Sequence, residues 1–318
     1  MPTVSIVRGV ETFKMVSEAI DLIGGLDSYF NPKDLVLIKP NVCGGVPGKT
    51  GTFTSLEVIS AIVSLLRSRV RHVVVGEADS SMYLADRMLK ENGIIEYADS
   101  LGIDVVNLSQ GEMVEVAVRD GFVLESVKVN RILSEASKIV SVPIAKTHVT
   151  TEVTLNLKNM FGIIPERKKG KLHSKIDAIL VDISKTFPPS LCVIDATTGL
   201  EGMGPFHGEP VKLDLIVAGD NAVATDAIMA NIMGYDPRKI MHLRLASDEG
   251  LGPTSPDEIE IVGESLEEVR RDFKKAPKEP FSRYMARIPG LGHLFVHYGY
   301  ESAVKAWQRK TKTRATSG

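Results

Sequence analysis

Cysteine is nearly absent. Two occur in 318 residues, Cys43 and Cys192, far apart along the chain. That is too few for a disulfide framework, for a zinc site or for an iron–sulfur cluster, so no cluster is expected within one chain. Long apolar runs are also missing. No stretch of about eighteen apolar residues exists, which excludes a transmembrane helix. The first residues, MPTVSIVRGVETF, lack the basic head and apolar core of a signal peptide, so the cytoplasm is the expected compartment. A charge excess is lacking too. The net charge of -2 does not fit a general binder of nucleic acid, and neither nucleic acid nor membrane is expected as a partner.

What remains is ordinary for a folded globular chain: 43% hydrophobic and 25% charged residues. Short apolar runs alternate with helical patterns. DLVLIKP (Asp34–Pro40), RHVVVGEA (Arg71–Ala78), IDVVNL (Ile103–Leu108), SKIVSVPIAKTH (Ser137–His148), PSLCVIDATTG and LDLIVAGD read as buried strands. SLEVISAIVSLLRS (Ser55–Ser68), YLADRMLKENGI, IEYADSLG, IDAILVDISKTF and NAVATDAIMANIMG read as helices. This alternation predicts an α/β fold, a mostly parallel sheet with helices on both faces in Rossmann-like layers. Alternation from Val114 to Val129 around Asp120-Gly121 predicts a small β-hairpin. DEIEIVG (Asp257–Gly263) is a late strand, and charge and proline increase after it. The expected organisation is one α/β domain over residues 1–263 and a helical C-terminal extension over 264–318. That extension is amphiphilic, and a homodimer formed through it is the expected assembly.

The loop KPNVCGGVPGKTGTFTS (Lys39–Ser55) invites a phosphate-loop reading, but the spacing fails. A Walker loop needs G-x-x-x-x-G-K-[ST] with the helix starting at the lysine. Cys43 stands where the first glycine belongs, Gly51 follows Thr50, and the helical pattern starts nearer Ser55. Thr52, Thr54 and Ser55 could either cap the helix or contact an anion at its N-terminus.

The stronger signal is polar residues at strand ends. They are Lys39 and Asn41, Glu77, Lys146 and His148, Asp195, and Asp220. In open α/β sheets, ligands bind at the carboxyl ends of parallel strands, so these groups are expected to share one crevice. Asp226 lies in an otherwise apolar helix and needs either a structural partner or a functional one. LKNMFG sets Lys158 and Asn159 among apolar neighbours, and GLEGMGPFHGEP (Gly199–Pro210) is a glycine-rich binding-loop candidate with Glu201, Gly202 and Gly204. The basic stretch around His173 could clamp an anion or simply be solvated.

These blocks, IKPN with its loop, AKTH with LKNMFG, DATTGLEGMGPFHGEP, and IVAGDNAVATDAIMANIMG, resemble the family called domain of unknown function 362. The resemblance covers about residues 1–263 with the blocks in order. It implies an α/β fold, a prokaryotic setting, and motif positions at Lys39, Asn41, Glu77, Lys146, His148, Lys158, Asn159, His173, Asp195, Glu201, Asp220 and Asp226. Some members carry ferredoxin-like cysteine clusters, and this chain lacks that module.

Two functions are compatible with these residues. The first is an enzyme acting on a small anionic substrate, phosphorylated or carboxylate. Lys146, His148, Lys158 and His173 are its catalytic candidates. Lys39, Asn41, Thr52, Asn159, Gly202 and Gly204 are its substrate-binding candidates. Glu77, Asp195, Glu201, Asp220 and Asp226 are candidate oxygen ligands for a divalent metal. The alternative is a non-catalytic accessory protein in iron–sulfur or metal-cofactor handling, through a cluster shared between subunits at Cys43 or Cys192.

Overall fold

The computed structural model describes residues 1–42, 46 and 49–276. The chain opens with β1 (Thr3–Arg8), α1 (Thr12–Leu22), β2 (Leu35–Pro40), α2 (Leu56–Leu66) and β3 (His72–Glu77). The helices α3 (Ala85–Glu91) and α4 (Ile94–Leu101) lead to β4 (Asp104–Asn107). A hairpin of β5 (Met113–Ala117) and β6 (Ser126–Asn130) precedes α5 (Arg131–Glu135), β7 (Lys138–Val142), β8 (Ile144–His148) and β9 (Glu152–Thr154). Then come α6 (Asn156–Met160), α7 (Ile176–Thr186), β10 (Leu191–Glu201), β11 (Glu209–Gly219), α8 (Ala222–Ile232), α9 (Met241–Asp248), β12 (Glu260–Gly263) and α10 (Leu266–Val269).

The main sheet runs β12-β1-β11-β10-β7-β2-β3-β4, with β8 continuing beside β10 and β9 pairing β8. Along that path every strand is parallel except β11, which runs against both β1 and β10. The sheet is therefore mostly parallel and layered, as the alternation predicts. Each strand feeds both layers because successive side chains point to opposite faces. Val36 and Ile38 of β2 join the core under α1 and α2, while Leu37 between them joins the core under α7. Ile194 and Ala196 of β10 pack in a third cluster with α8 and α9, while Leu191 and Val193 face α1 and α2. Both faces are covered, which is why the strands read as unbroken apolar runs.

The hairpin forms as expected, with Val114 opposite Val129. Its connection, residues 118–125, is longer than a two-residue turn. Asp182 of α7 holds that connection, its carboxylate accepting the backbone N–H groups of Phe122, Val123 and Leu124 at 2.7–2.9 Å.

Three expectations change. First, β11 is antiparallel, because only residues 202–208 separate it from β10 and a parallel return needs about a dozen. The chain end of β11 thus lies at the opposite edge of the sheet from the ends of β2, β3 and β10. Second, β10 does not stop near Asp195 but runs on to Glu201, past a register shift between Ala196 and Thr198. Third, the chain after Gly263 does not leave the core at once: Val269 and Phe273 are buried in the cluster under α8. Residues from 277 onward, with the expected helical extension and its dimer contact, lie outside the described residues.

Candidate functional site

β2 delivers Lys39 and Asn41, β3 delivers Glu77, and β8 delivers Lys146 and His148 to one side of the sheet. The short helix α6 then lays Lys158 and Asn159 over these ends. Lys39 and Lys146 are completely buried, which demands that each ammonium be answered.

Lys39 is answered by an ion pair. Its Nζ lies 2.7 Å from Glu77 Oε1 and also donates to the Pro40 carbonyl at 2.6 Å. Glu77 in turn accepts the backbone N–H of Ala78 at 2.9 Å and that of Val42 at 3.0 Å. Gly162 leaves room for this pair: a Cβ there would stand 3.0 Å from Lys39 Nζ and 3.2 Å from Glu77 Oε1.

Lys146 sits differently. Its Nζ donates to Asn41 Oδ1 at 2.8 Å and to the Thr52 carbonyl at 2.7 Å, both neutral oxygens. Burial first, and then the nearby charge of Lys158, push its pKa down to about 7. Two amides tie the two lysines together. Asn159 Oδ1 accepts from Asn41 Nδ2 at 3.2 Å and from Lys39 Nζ at 3.4 Å, and its Nδ2 donates to the Lys39 carbonyl at 2.8 Å.

Lys158 is partly exposed and places its Nζ 4.6 Å from the centre of the Phe161 ring. Burial, and after it Lys169 and Lys39, bring its pKa to about 7 as well. His173 packs edge-on against the same Phe161 ring, with centroids 5.7 Å apart. Its Nδ1 is 3.0 Å from the Lys169 carbonyl, an acceptor only. Nδ1 therefore carries the proton and Nε2 presents a lone pair. His148 has the opposite arrangement. Its Nδ1 accepts the backbone N–H groups of Thr150 at 3.1 Å and Thr151 at 3.3 Å, so the proton is on Nε2. Burial followed by Lys158 lowers both imidazoles, His173 to about 4 and His148 well below its ordinary range. Both rings are neutral at pH 7, one a donor and one an acceptor towards a ligand.

Of the sequence candidates, Lys39, Asn41, Glu77, Lys146 and Asn159 form one hydrogen-bonded network. His148, Lys158 and His173 adjoin it, linked through Phe161 and their mutual charge interactions. Thr52 is present mainly through its carbonyl, since its Oγ1 donates to Lys49 O at 2.7 Å and accepts from Val46 N at 2.9 Å. Gly204 packs so closely on β8 that a Cβ would stand 1.9 Å from the Thr147 carbonyl. Gly202 bonds to the Lys274 carbonyl through its N–H, at 2.6 Å. Both glycines shape the wall.

The remaining carboxylates have partners of their own. Asp195 accepts the Ser55 N–H at 2.8 Å and the Thr197 hydroxyl at 2.7 Å, so it caps α2 from across the sheet. Ser55 is itself the side-chain cap of that helix. The helix N-terminus is thereby satisfied internally, and it starts at Leu56, seven residues past Lys49 of the failed Walker match. Glu201 pairs with Lys274 at 3.2 Å. Asp220 is exposed at the opposite sheet edge, bonded to the Thr3 N–H at 3.3 Å. Asp226 lies beneath α6, engaged by Asn156 and Leu157. Glu77, Asp195, Glu201, Asp220 and Asp226 thus do not converge. Among the described residues, no three His, Cys, Asp or Glu side chains gather as a metal would require. Cys192 is wholly buried with its thiol pushed far up by burial, which removes it as a ligand to a shared cluster. Cys43 lies outside the described residues.

Sequence reasoning missed Lys169, buried in the stretch weighed as solvated charge. The one available signal is its place four residues before His173, whose ring bonds its carbonyl. Phe161 was passed over as an ordinary apolar residue.

The sequence matches the family described as domain of unknown function (DUF362) over residues 36–231. It is 27% identical over 247 residues to a thylakoid-associated protein of Synechocystis sp., covering 75% of each chain. Among solved structures, the lactate racemase apoprotein of Thermoanaerobacterium thermosaccharolyticum overlays with a TM-score of 0.46 at 12% identity, over 77% of this chain and 56% of that one. A Thermotoga maritima protein overlays with a TM-score of 0.40 at 13% identity, over 59% of this chain and 51% of that one. The chain thus spans about half the length of these two structures. Likenesses of that size carry no function across. Among the described residues, no helix is long and apolar enough to cross a membrane.

Proposed function

The chain belongs to the DUF362 family, whose name records no reaction, and from its crevice we propose an enzyme that binds a small anionic substrate between the strand ends and α6. One observation carries this reading. Lys146 and Lys158 lie close to each other and to Lys39, with Lys169 beside Lys158, and both have pKa values near 7, first because burial takes them out of water and then because these ammonium groups repel one another. A phosphoryl or carboxylate group entering the crevice relieves the repulsion and raises both values. Lys146 is held in place by Asn41 and the Thr52 carbonyl, so it meets the anion preorganised rather than as a mobile side chain. The neutral His148 offers an Nε2–H to a substrate oxygen, and the neutral His173 offers a lone pair. Lysines poised near neutrality can give or take a proton at working pH, which is what acid–base catalysis needs. Lys39, closed into its pair with Glu77, supports the wall.

Isothermal titration with sulfate and with simple carboxylates tests the binding step. Loss of the heat signal in Lys146→Met, with the fold retained by circular dichroism, is the expected result. Equal binding by the variant and the parent would remove Lys146 from the site. Turnover of a bound metabolite separates the enzyme from a protein that only binds.

A further inference from the structure

Three of the clustered lysines stand in different bonding states. Lys39 is closed into an ion pair with Glu77. Lys146 donates to Asn41 and to the Thr52 carbonyl. Lys158 is the exception: among the described residues no hydrogen-bond acceptor takes its protons, and its amine rests against the Phe161 ring at 4.6 Å. It is also partly exposed, so a ligand can reach it. The geometry points to Lys158 as a covalent nucleophile that forms an imine with a small anion bearing an aldehyde or ketone. This rests on the anionic-substrate reading and narrows its substrate class.

The neighbours suit each part of that step. Lys146 and Lys169 attract the anionic group, while the Phe161 ring face lies 4.6 Å from the Lys158 amine and positions it. The neutral amine attacks the carbonyl carbon, and a C–N bond forms as the C–O double bond becomes single. His148 Nε2–H can hydrogen-bond the developing alkoxide. His173 Nε2 can accept the proton that the new ammonium sheds, and that proton returns to the alkoxide oxygen to make the carbinolamine hydroxyl. The carbinolamine then loses its hydroxyl with a proton as water, leaving the imine. Amine plus carbonyl gives imine plus water, with no redox change. The low pKa that burial, and after it Lys169 and Lys39, give Lys158 keeps a useful fraction of its amine neutral at pH 7.

The test uses the full chain with glyoxylate as the probe and cyanoborohydride to reduce any imine at pH 7, followed by peptide mapping. Lys158 should be labelled about 100-fold faster than an exposed lysine, given its far larger neutral fraction. Acetaldehyde, which lacks the carboxylate, should label it at least about tenfold more slowly, and sulfate should protect it. Lys158→Arg should abolish this label while keeping the thermal shift produced by sulfate. Labelling spread evenly over surface lysines would overturn the proposal. So would an unlabelled Lys158 in a chain that sulfate still stabilises, a result that leaves the anion site standing. Absence of both labelling and sulfate stabilisation would overturn the anion site as well.

Discussion

Asp226, buried in α8, accepts hydrogen bonds at 2.8 Å from both the backbone N–H and the side-chain amide of Asn156. Its second oxygen accepts the Leu157 N–H at 2.9 Å. The carboxylate therefore holds the first turn of α6, the helix that carries Lys158 and Asn159 into the crevice. A five-residue helix has little stability of its own, so this anchor decides where those side chains stand.

Asp226→Ala should cost about 2–4 kcal/mol in urea unfolding, since it orphans buried N–H donors. The group also has a pH signature. Burial raises its carboxyl to about 6, so the folded chain takes up this proton before the unfolded chain does. Its contribution to stability therefore grows as pH falls from about 6 towards the ordinary carboxylate range. Asp226→Asn should flatten that part of the stability–pH curve. An unchanged curve would mean another group titrates there.

Lys39 and Lys146 predict unequal outcomes for the same substitution. Lys39→Met leaves Glu77 buried without its partner and should destabilise by about 3–5 kcal/mol. Much of that should return in the Lys39→Met, Glu77→Gln double variant. Lys146→Met removes a crowded ammonium but orphans the buried Asn41 Oδ1 and Thr52 carbonyl, so it should cost about 1–3 kcal/mol, less than the loss of an ion-pair partner. The anion binding should go with it. Denaturant curves for the four proteins check this asymmetry, and comparable losses for both lysines would contradict it.

Sulfate stabilisation should depend on pH with a definite sign. Both crowded lysines have folded pKa values near 7, below their unfolded values. Holding them charged costs stability fully below about 7, and that cost is relieved as pH rises from there towards the unfolded lysine value. A bound anion offsets the cost only where the amines are protonated. Sulfate, whose own charge is constant here, should raise Tm more at pH 6 than at pH 8.5. Lys146→Met reports the general salting effect, which is to be subtracted. A larger shift at pH 8.5 would place the anion elsewhere.

Much of this site was legible at Lys39, Asn41, Lys146 and Asn159. A polar residue ending a buried apolar run is visible in sequence, because burial demands a reason for it. Roles were less legible than positions. Asp195 and Lys39 look alike as strand-end charges, yet one caps a helix across the sheet and the other pairs with a carboxylate. Partners supplied from far along the chain made that distinction. Asp220 was misplaced because strand direction depends on connection length, and the long glycine loop hid how few residues join β10 to β11. Asp182 gave no signal, since a carboxylate on a helix normally faces water, and here it instead meets three backbone donors of a distant hairpin loop.

The change in composition after Gly263 suggests a boundary there, and the packing of the next residues makes that boundary testable. Phe273 is buried with Val269 against α8, and the backbone N–H of Phe273 donates to the Met233 carbonyl at 3.1 Å. Lys274, next in the chain, pairs with Glu201 and Glu209. If residues 264–276 belong to the folded unit, Phe273→Ala should cost about 3–5 kcal/mol, as for an aromatic removed from a core. An appended segment would lose under about 0.5 kcal/mol from the same change. Truncation after Ala276 should leave the urea midpoint within error, whereas truncation after Gly263 should lower it by removing Phe273 and the partner of Glu201 together. Equal midpoints for the two truncations would detach this stretch from the domain and free Glu201 for another role.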